Sequence, residues 1–99
     1  REAYRYTVET SIYLRPDQYG RGLGTRLLAT LLDAARAQRY HTAIALITGG
    51  NAASIRLHEK FNFTHVGILR QVGWKFERWH DIIIMQRLLE TPAGTGEDW

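Results

Sequence analysis

The most constraining feature of this sequence is a glycine-rich turn between a strand-like segment and a helix-like segment. Its glycines alternate in Tyr19-Gly20-Arg21-Gly22-Leu23-Gly24-Thr25. Residues 3–14, before the turn, are rich in Tyr, Thr, Val and Ile, as strands are, and Pro16 ends that strand. After it, apolar residues recur at the three-and-four spacing of one helical face, which predicts a helix ending near Tyr40. The predicted face comprises Leu23, Leu27, Leu28, Leu31, Leu32 and Ala35.

The rest of the chain predicts one more strand-helix pair and a terminal hairpin. A buried strand is expected at 41–48, and a helix at 52–61 begins after Asn51 as N-cap and ends at a left-handed Asn62. Strands at 63–70 and 79–88 flank a loop at 71–77, and the apolar run 82–85 is expected to be covered on both faces.

These elements predict an α/β fold in the order strand-helix-strand-helix-strand-strand. A right-handed crossover makes the first two strands parallel, and the last two form an antiparallel hairpin. The 99 residues allow one domain at most, and an apolar share of 44% excludes general disorder. We expect a soluble protein of the cytoplasm.

Composition also excludes several kinds of site and partner. The chain has no Cys, which excludes disulfides, a thiolate nucleophile and Cys-ligated zinc. Its His residues lack metal-ligand spacing, and no apolar run approaches the roughly 20 residues of a membrane span. The net charge of +3 would suit an anionic ligand, but the basic residues are scattered rather than gathered in the stripe typical of nucleic-acid binders, and a solvated surface explains them as well. We expect no nucleic acid, membrane or metal as a partner.

The glycine turn is a candidate phosphate site. Glycine lets the backbone approach a ligand closely, and the first N–H groups of a helix attract anions. A P-loop needs a Lys after the last Gly, and none follows. The dinucleotide fingerprint fails too, because Thr25 replaces the third Gly and Asp33 comes too early for the acidic residue. A purely structural turn remains the alternative.

A second motif identifies a resemblance. It runs from Asn51 through Ser54, Leu57, His58 and Lys60 to Phe63, and with Gly22-x-Gly24 it resembles the acetyl-CoA-dependent GNAT acetyltransferases. Residues 7–11 (TVETS), 56–59 (RLHE) and 79–81 (WHD) are similar to the phosphinothricin N-acetyltransferase branch. The resemblance covers about residues 6–89. Tyr19, in place of Gln or Arg, and Asn62, in place of Gly, depart from the superfamily pattern.

The resemblance implies a GNAT-type mixed sheet flanked by helices. Residues 1–89 would be the C-terminal portion of a single acetyltransferase domain, and 90–99 a flexible tail. A chain starting at Arg1 is expected to be a piece of a longer protein. The implied enzyme is an N-acetyltransferase that moves acetyl from acetyl-CoA directly to the primary amine of a small molecule, such as a phosphinothricin-like amino acid. No metal is implied.

The resemblance also implies site residues. Glu9 is the candidate general base, expected in a cleft where burial makes a carboxylate a better proton acceptor. His58 is the candidate general acid toward the CoA sulfur, or a second base, with Tyr13 a weaker acid. Arg21 or Arg26 is expected to add a charge contact to phosphate. The expected acetyl-CoA contacts are Ile12, Tyr13, Leu14, Gly20, Arg21, Gly22, Leu23, Gly24, Thr25, Asn51 and Ser54.

Each assignment has an alternative. Glu9 would otherwise be a solvated strand residue, His58 a helix-surface residue and Asn51 a plain cap. The whole chain would then be a non-catalytic module that binds CoA or another anion. His80, Asp81 and the aromatic segment 74–79 either line an acceptor pocket or form a homodimer contact.

Overall fold

The structure is a computed structural model that describes residues 6–10 and 22–89. The described elements follow the predicted order. They are β1 Thr7–Thr10, α1 Leu23–Ala37, β2 Thr42–Thr48, α2 Ala52–Lys60, β3 Thr64–Lys75 and β4 Arg78–Leu88. Ile12, Tyr13, Leu14, Gly20, Arg21 and the predicted tail 90–99 lie outside the described residues.

The four described strands form one mixed sheet in the order β1-β2-β4-β3. β1 runs parallel to β2, with Glu9 opposite Ile44 in the register. β4 is antiparallel to both of its neighbours, so the chain places its last strand between β2 and β3. The predicted parallel pair and terminal hairpin are both confirmed.

Both helices contribute to one core on one face of the sheet. Side chains alternate along a strand, so Val8 and Thr10 of β1 share the face of the buried Ala43, Ala45 and Ile47 of β2. Leu28 and Leu32 of α1 join this core, and partly buried α2 residues pack against it. The buried apolar core consists of Leu28, Leu32, Ala35, Ala43, Ala45, Ile47, Phe63, Met85 and Leu89.

The opposite face of the sheet is only partly covered by the described residues. Leu46 on this face is 45% exposed, and its register partner Ile84 is half-buried. The expectation that residues 82–85 are covered on both faces is therefore wrong for the described part of the chain. The reason is that α1 and α2 pack on the same side.

Helix α1 buries a narrower stripe than the leucine pattern predicts. Its buried residues are Gly24, Leu28, Leu32 and Ala35, whereas Leu27 and Leu31 are 48% and 42% exposed. The helix ends at Ala37 rather than near Tyr40, because Arg39 takes a left-handed φ of 65°. At the end of α2, Asn62 has a φ of 67°, which confirms its predicted left-handed conformation.

The segment predicted as a loop at 71–77 is mostly strand. β3 continues to Lys75, with register irregularities between His65 and Gly67 and between Leu69 and Gly73. Phe76 and Glu77 then form the hairpin turn, with φ values of 54° and 59°. Two consecutive left-handed residues are the geometry of a type I′ turn, which joins two strands in two residues. Gly73 therefore belongs to a strand beyond a bulge.

Candidate acetyltransferase site

The candidate base Glu9 lies on the sheet face opposite the helices. Val8 faces the core, so the next side chain in β1 points to the other side. Its register neighbour there is Ile44 of β2. Glu9 is exposed among the described residues, so the expected burial of this carboxylate is not found. The carboxylate is accessible to a ligand that approaches this face.

His58 is buried, which rules out the alternative of a helix-surface residue. Only 2% of the residue is exposed, although it lies in the helix α2 that is otherwise largely half-buried or exposed. The Phe63 ring contacts it edge-to-face, with the centroids 4.9 Å apart. Burial lowers the pKa of His58 below its usual 6.5, and the opposing effect of the hydrogen bond to Ser54 is smaller. The ring is therefore neutral at neutral pH.

The hydrogen bonds of His58 define which of its nitrogens carries the proton. Nδ1 lies 2.8 Å from the backbone oxygen of Ser54. A carbonyl oxygen can only accept, so Nδ1–H donates and Nε2 of the neutral ring holds a lone pair. The Thr10 hydroxyl lies 3.5 Å from Nε2, at the long end of hydrogen bonding, and donates to it. In this state Nε2 can accept a proton and cannot donate one.

The first turn of α1 has the properties of an anion site. Gly22 is the N-cap, with φ 74°, and it offers no side-chain hydrogen bond to the first turn. The first N–H groups of a helix have no intrahelical partners, and the turn holds no acidic residue that would complement the helix dipole. Gly24 in this turn is buried. The backbone around Gly22, Leu23 and Gly24 is therefore suited to phosphate.

Lys60, an exposed residue at the end of α2, also belongs to this region. Its Nζ donates to the Thr25 hydroxyl over 3.4 Å, which brings the end of α2 to the first turn of α1. A cation near the positive end of a helix dipole is unfavourable unless an anion binds between them. The contact joins residues 35 apart, so no local pattern in the sequence indicates it.

Asn51 and Ser54 organise the start of α2. The Asn51 side-chain oxygen accepts a hydrogen bond from the Ser54 N–H at 3.1 Å, which confirms the predicted N-cap. The carbonyl of Ser54 in turn holds the His58 ring. Capping is thus what Asn51 does in the structure, and its contact with the pantetheine stays a prediction.

His80 and Asp81 stabilise the β3–β4 hairpin. His80 Nε2 donates to the Lys75 carbonyl at 2.9 Å, beside the turn. The Asp81 carboxylate accepts from the Gln71 N–H at 2.9 Å, and Gln71 has a φ of 51° within the second irregularity of β3. The motif 79–81 therefore has a structural explanation. Beyond it, the Trp74 and Trp79 rings contact each other edge-to-face across the strands, with their centroids 5.1 Å apart.

The structure brings together some candidate residues and separates others. Thr10, Ser54 and His58 meet on the helix-covered side, and Lys60 meets Thr25 at the start of α1. Glu9 points to the other side of the sheet from Thr10, so the two candidate catalytic groups are not in one cluster. In the described ranges, no group of three acidic or His side chains could hold a metal ion. No helix within those ranges has the length and apolarity to cross a membrane.

Comparison with known proteins places this geometry in a family. The family model described as "Acetyltransferase (GNAT) family" matches residues 1–63. L-methionine sulfoximine/L-methionine sulfone acetyltransferase of Pseudomonas aeruginosa is 51% identical over 89 residues, which are 90% of this chain and 52% of the relative. Phosphinothricin N-acetyltransferase of Streptomyces coelicolor is 47% identical over 87 residues, or 88% and 51% of the two chains. The chain thus spans about half the length of these curated relatives.

A solved structure agrees with the sequence relatives. The phosphinothricin acetyltransferase of Sinorhizobium meliloti, solved in complex with acetyl-CoA, superposes with a TM-score of 0.83 at 38% identity. The match covers 99% of this chain and 56% of that one. The sequence motifs, the mixed sheet and these matches agree, and the chain belongs to the acetyltransferase (GNAT) family.

Proposed function

We propose that the protein transfers acetyl from acetyl-CoA to the primary amine of a small amino acid of the phosphinothricin or methionine sulfoximine type. Relatives about half identical to the chain are named for these acceptors. The observation that carries the proposal is the uncapped first turn of α1 beside Lys60, in a chain whose family transfers acetyl groups. The acceptor class derives from the relatives.

The described residues fit the phosphate groups of acetyl-CoA. Gly22, Leu23, Gly24 and Thr25 would supply backbone N–H groups, and Lys60 would supply a positive charge. The other expected contacts include Arg21 or Arg26 with phosphate, and Asn51 and Ser54 with the pantetheine. When bound, acetyl-CoA supplies an activated thioester carbonyl.

Glu9 would remove the proton from the attacking amine. An ammonium group has no lone pair, so it must lose a proton before it attacks. The carboxylate of Glu9 is exposed on the sheet face that α1 and α2 leave open. An acceptor amine reaching that face would therefore meet Glu9 without displacing the core.

Of the two roles open to His58, we propose that of a proton acceptor rather than an acid. Its Nδ1–H donates to the Ser54 carbonyl, and its Nε2 accepts from Thr10. Burial, which lowers the pKa of His58, favours this neutral form.

The cytoplasmic location and the homodimer stay predictions. The exposed rings of Trp74 and Trp79 support the homodimer, because aromatic side chains are enriched at protein interfaces.

The substitution Glu9→Gln tests the role of the base in the full-length protein. It removes the basic oxygen at nearly constant shape, so we expect kcat to fall about 100-fold or more, as for general bases. The Kd for acetyl-CoA, measured by calorimetry, should change less than about twofold, because Glu9 is not in the phosphate site.

Glu59→Gln is the matched control, because Glu59 is an exposed carboxylate of α2 paired with His65 at 2.9 Å. It should keep the wild-type kcat. Wild-type turnover in Glu9→Gln, or an equal loss of turnover and of acetyl-CoA binding, would contradict the assignment of Glu9 as base.

A further inference from the structure

Thr10 and His58 are the polar side chains buried in the described part of the chain. Their exposed fractions are 4% and 2%. Thr10 ends the described part of β1, and His58 lies in α2, 48 positions further on. Burial of a polar group is costly unless it is hydrogen-bonded, so a buried pair that links two elements needs both partners in place.

The ring of His58 is held on more than one side. The Ser54 carbonyl accepts from Nδ1 at 2.8 Å, and the Phe63 ring packs edge-to-face. These contacts come from α2 and from the residue just before β3, so they fix the ring within its own part of the fold. Nε2 then stands as a fixed acceptor, and the Thr10 hydroxyl is the group of β1 that meets it.

Within residues 6–10 and 22–89, few other contacts fix the end of β1. It is the edge strand of the described sheet, and its ladder partner among the described strands is β2. Thr10 is the last described residue of that ladder, opposite Ala45. The contact between the Thr10 hydroxyl and His58 therefore links the described end of β1 to α2. Thr10 directly follows Glu9 in the chain.

We propose that Thr10 is a positioning residue for acetyl transfer, whose hydroxyl ties β1 to His58 and so fixes where Glu9 stands. This inference rests on the proposed function. Glu9 and Thr10 are consecutive in one strand, so a shift or twist at Thr10 moves the Glu9 carboxylate as well. Misplacement of a catalytic group by about 1 Å can cost up to about 100-fold in rate.

The test compares Thr10→Val and Thr10→Ser in the full-length protein. Valine keeps the shape and loses the hydroxyl, whereas serine keeps the hydroxyl. We expect Thr10→Val to lower kcat about tenfold with the KM for acetyl-CoA unchanged, and Thr10→Ser to stay within about twofold of wild type. Thr64→Val is the control, because it removes another strand hydroxyl, one that donates to the Gln86 carbonyl at 3.3 Å. It should keep the wild-type kcat.

A double-mutant cycle separates positioning from general loss of structure. If Thr10 acts through His58, Thr10→Val should add little to the loss already caused by His58→Gln. The pH at which His58 titrates, followed by NMR, should rise in Thr10→Val and not in Thr10→Ser, because the hydroxyl donates to the neutral ring. If Thr10→Val does not fold, Thr10→Ala serves as the second variant without a hydroxyl.

Several results would overturn the proposal. A folded Thr10→Val with wild-type kcat would show that the hydroxyl positions nothing, and Thr10→Ser as slow as Thr10→Val would assign the effect to packing. Fully additive losses in the cycle would show that Thr10 does not act through His58. A wild-type protein that binds acetyl-CoA but transfers no acetyl group would instead refute the proposed function. That result differs from a failure of the Thr10 proposal because it appears without any substitution.

Discussion

The buried imidazole of His58 should make the stability of the protein depend on pH. Burial lowers the pKa of His58 in the native state below the usual 6.5 of the unfolded chain. Between these two values the unfolded state binds more protons than the native state. Stability therefore rises with pH through this window, is complete above about pH 6.5, and is lost as the pH falls toward the native pKa.

The size of the change in the free energy of unfolding follows from one proton and from one buried hydrogen bond. When the unfolded state binds one proton more than the native state, the free energy of unfolding changes by at most about 1.4 kcal/mol per pH unit. Replacing His58 with Gln removes that slope and disturbs the acceptor of the buried Thr10 hydroxyl. A buried group left without its partner costs about 1–3 kcal/mol, so His58→Gln should be destabilised by that amount near pH 8.

Urea unfolding of the full-length protein between about pH 5 and pH 8 measures both effects. The wild type should lose stability below about pH 6.5, and His58→Gln should show a flatter profile in that range. His65→Gln is the matched control, because His65 is 53% exposed and pairs with Glu59 on the surface. It should keep the wild-type profile. The same slope in His58→Gln as in the wild type would show that His58 is not the source of the pH dependence.

Three further predictions concern Gly22, Lys60 and Asp81. Gly22→Ala should lower the free energy of unfolding in urea by about 1–2 kcal/mol, because the backbone there has a left-handed φ of 74°. The control Gly67→Ala, where an added Cβ also meets open space, should lower it by less than about 0.5 kcal/mol, and equal losses would contradict this prediction. Lys60→Gln should raise the Kd for acetyl-CoA about fivefold in calorimetry, because about 1 kcal/mol of charge attraction is lost. Lys60→Arg keeps the charge and should leave the Kd unchanged, whereas unchanged binding in Lys60→Gln would exclude Lys60 from the site. Asp81→Ala should speed hydrogen exchange of the Gln71 amide, which donates to Asp81 at 2.9 Å; unchanged exchange would show that Asp81 does not hold the bulge.

Local signals in the sequence predicted much of the fold. Helical periodicity and strand composition gave the six described elements in order, and the cap at Asn51 and the left-handed Asn62 are both confirmed. Each of these features depends on residues within one or two turns of each other. The parallel pairing of β1 and β2 followed from the crossover rule.

The features that were mispredicted depend on distant partners. The strand character of 71–75 depends on pairing with β4 and on the Asp81 carboxylate, which no local pattern shows. Two further contacts were not predicted at all: that of His58 with Thr10, 48 positions away, and that of Lys60 with Thr25, 35 positions away. Leu46 is exposed because α1 and α2 both pack on the other side of the sheet. An apolar run in the sequence does not show which side of a sheet the helices cover.

The most direct test of the account is thiol release from acetyl-CoA by the full-length protein with a panel of small amines. The panel includes phosphinothricin, methionine sulfoximine and a polyamine, each compared with a reaction that lacks amine. We expect rapid release with one of the amino acids and the loss of that release in Glu9→Gln. Tight acetyl-CoA binding without release on any amine would contradict it.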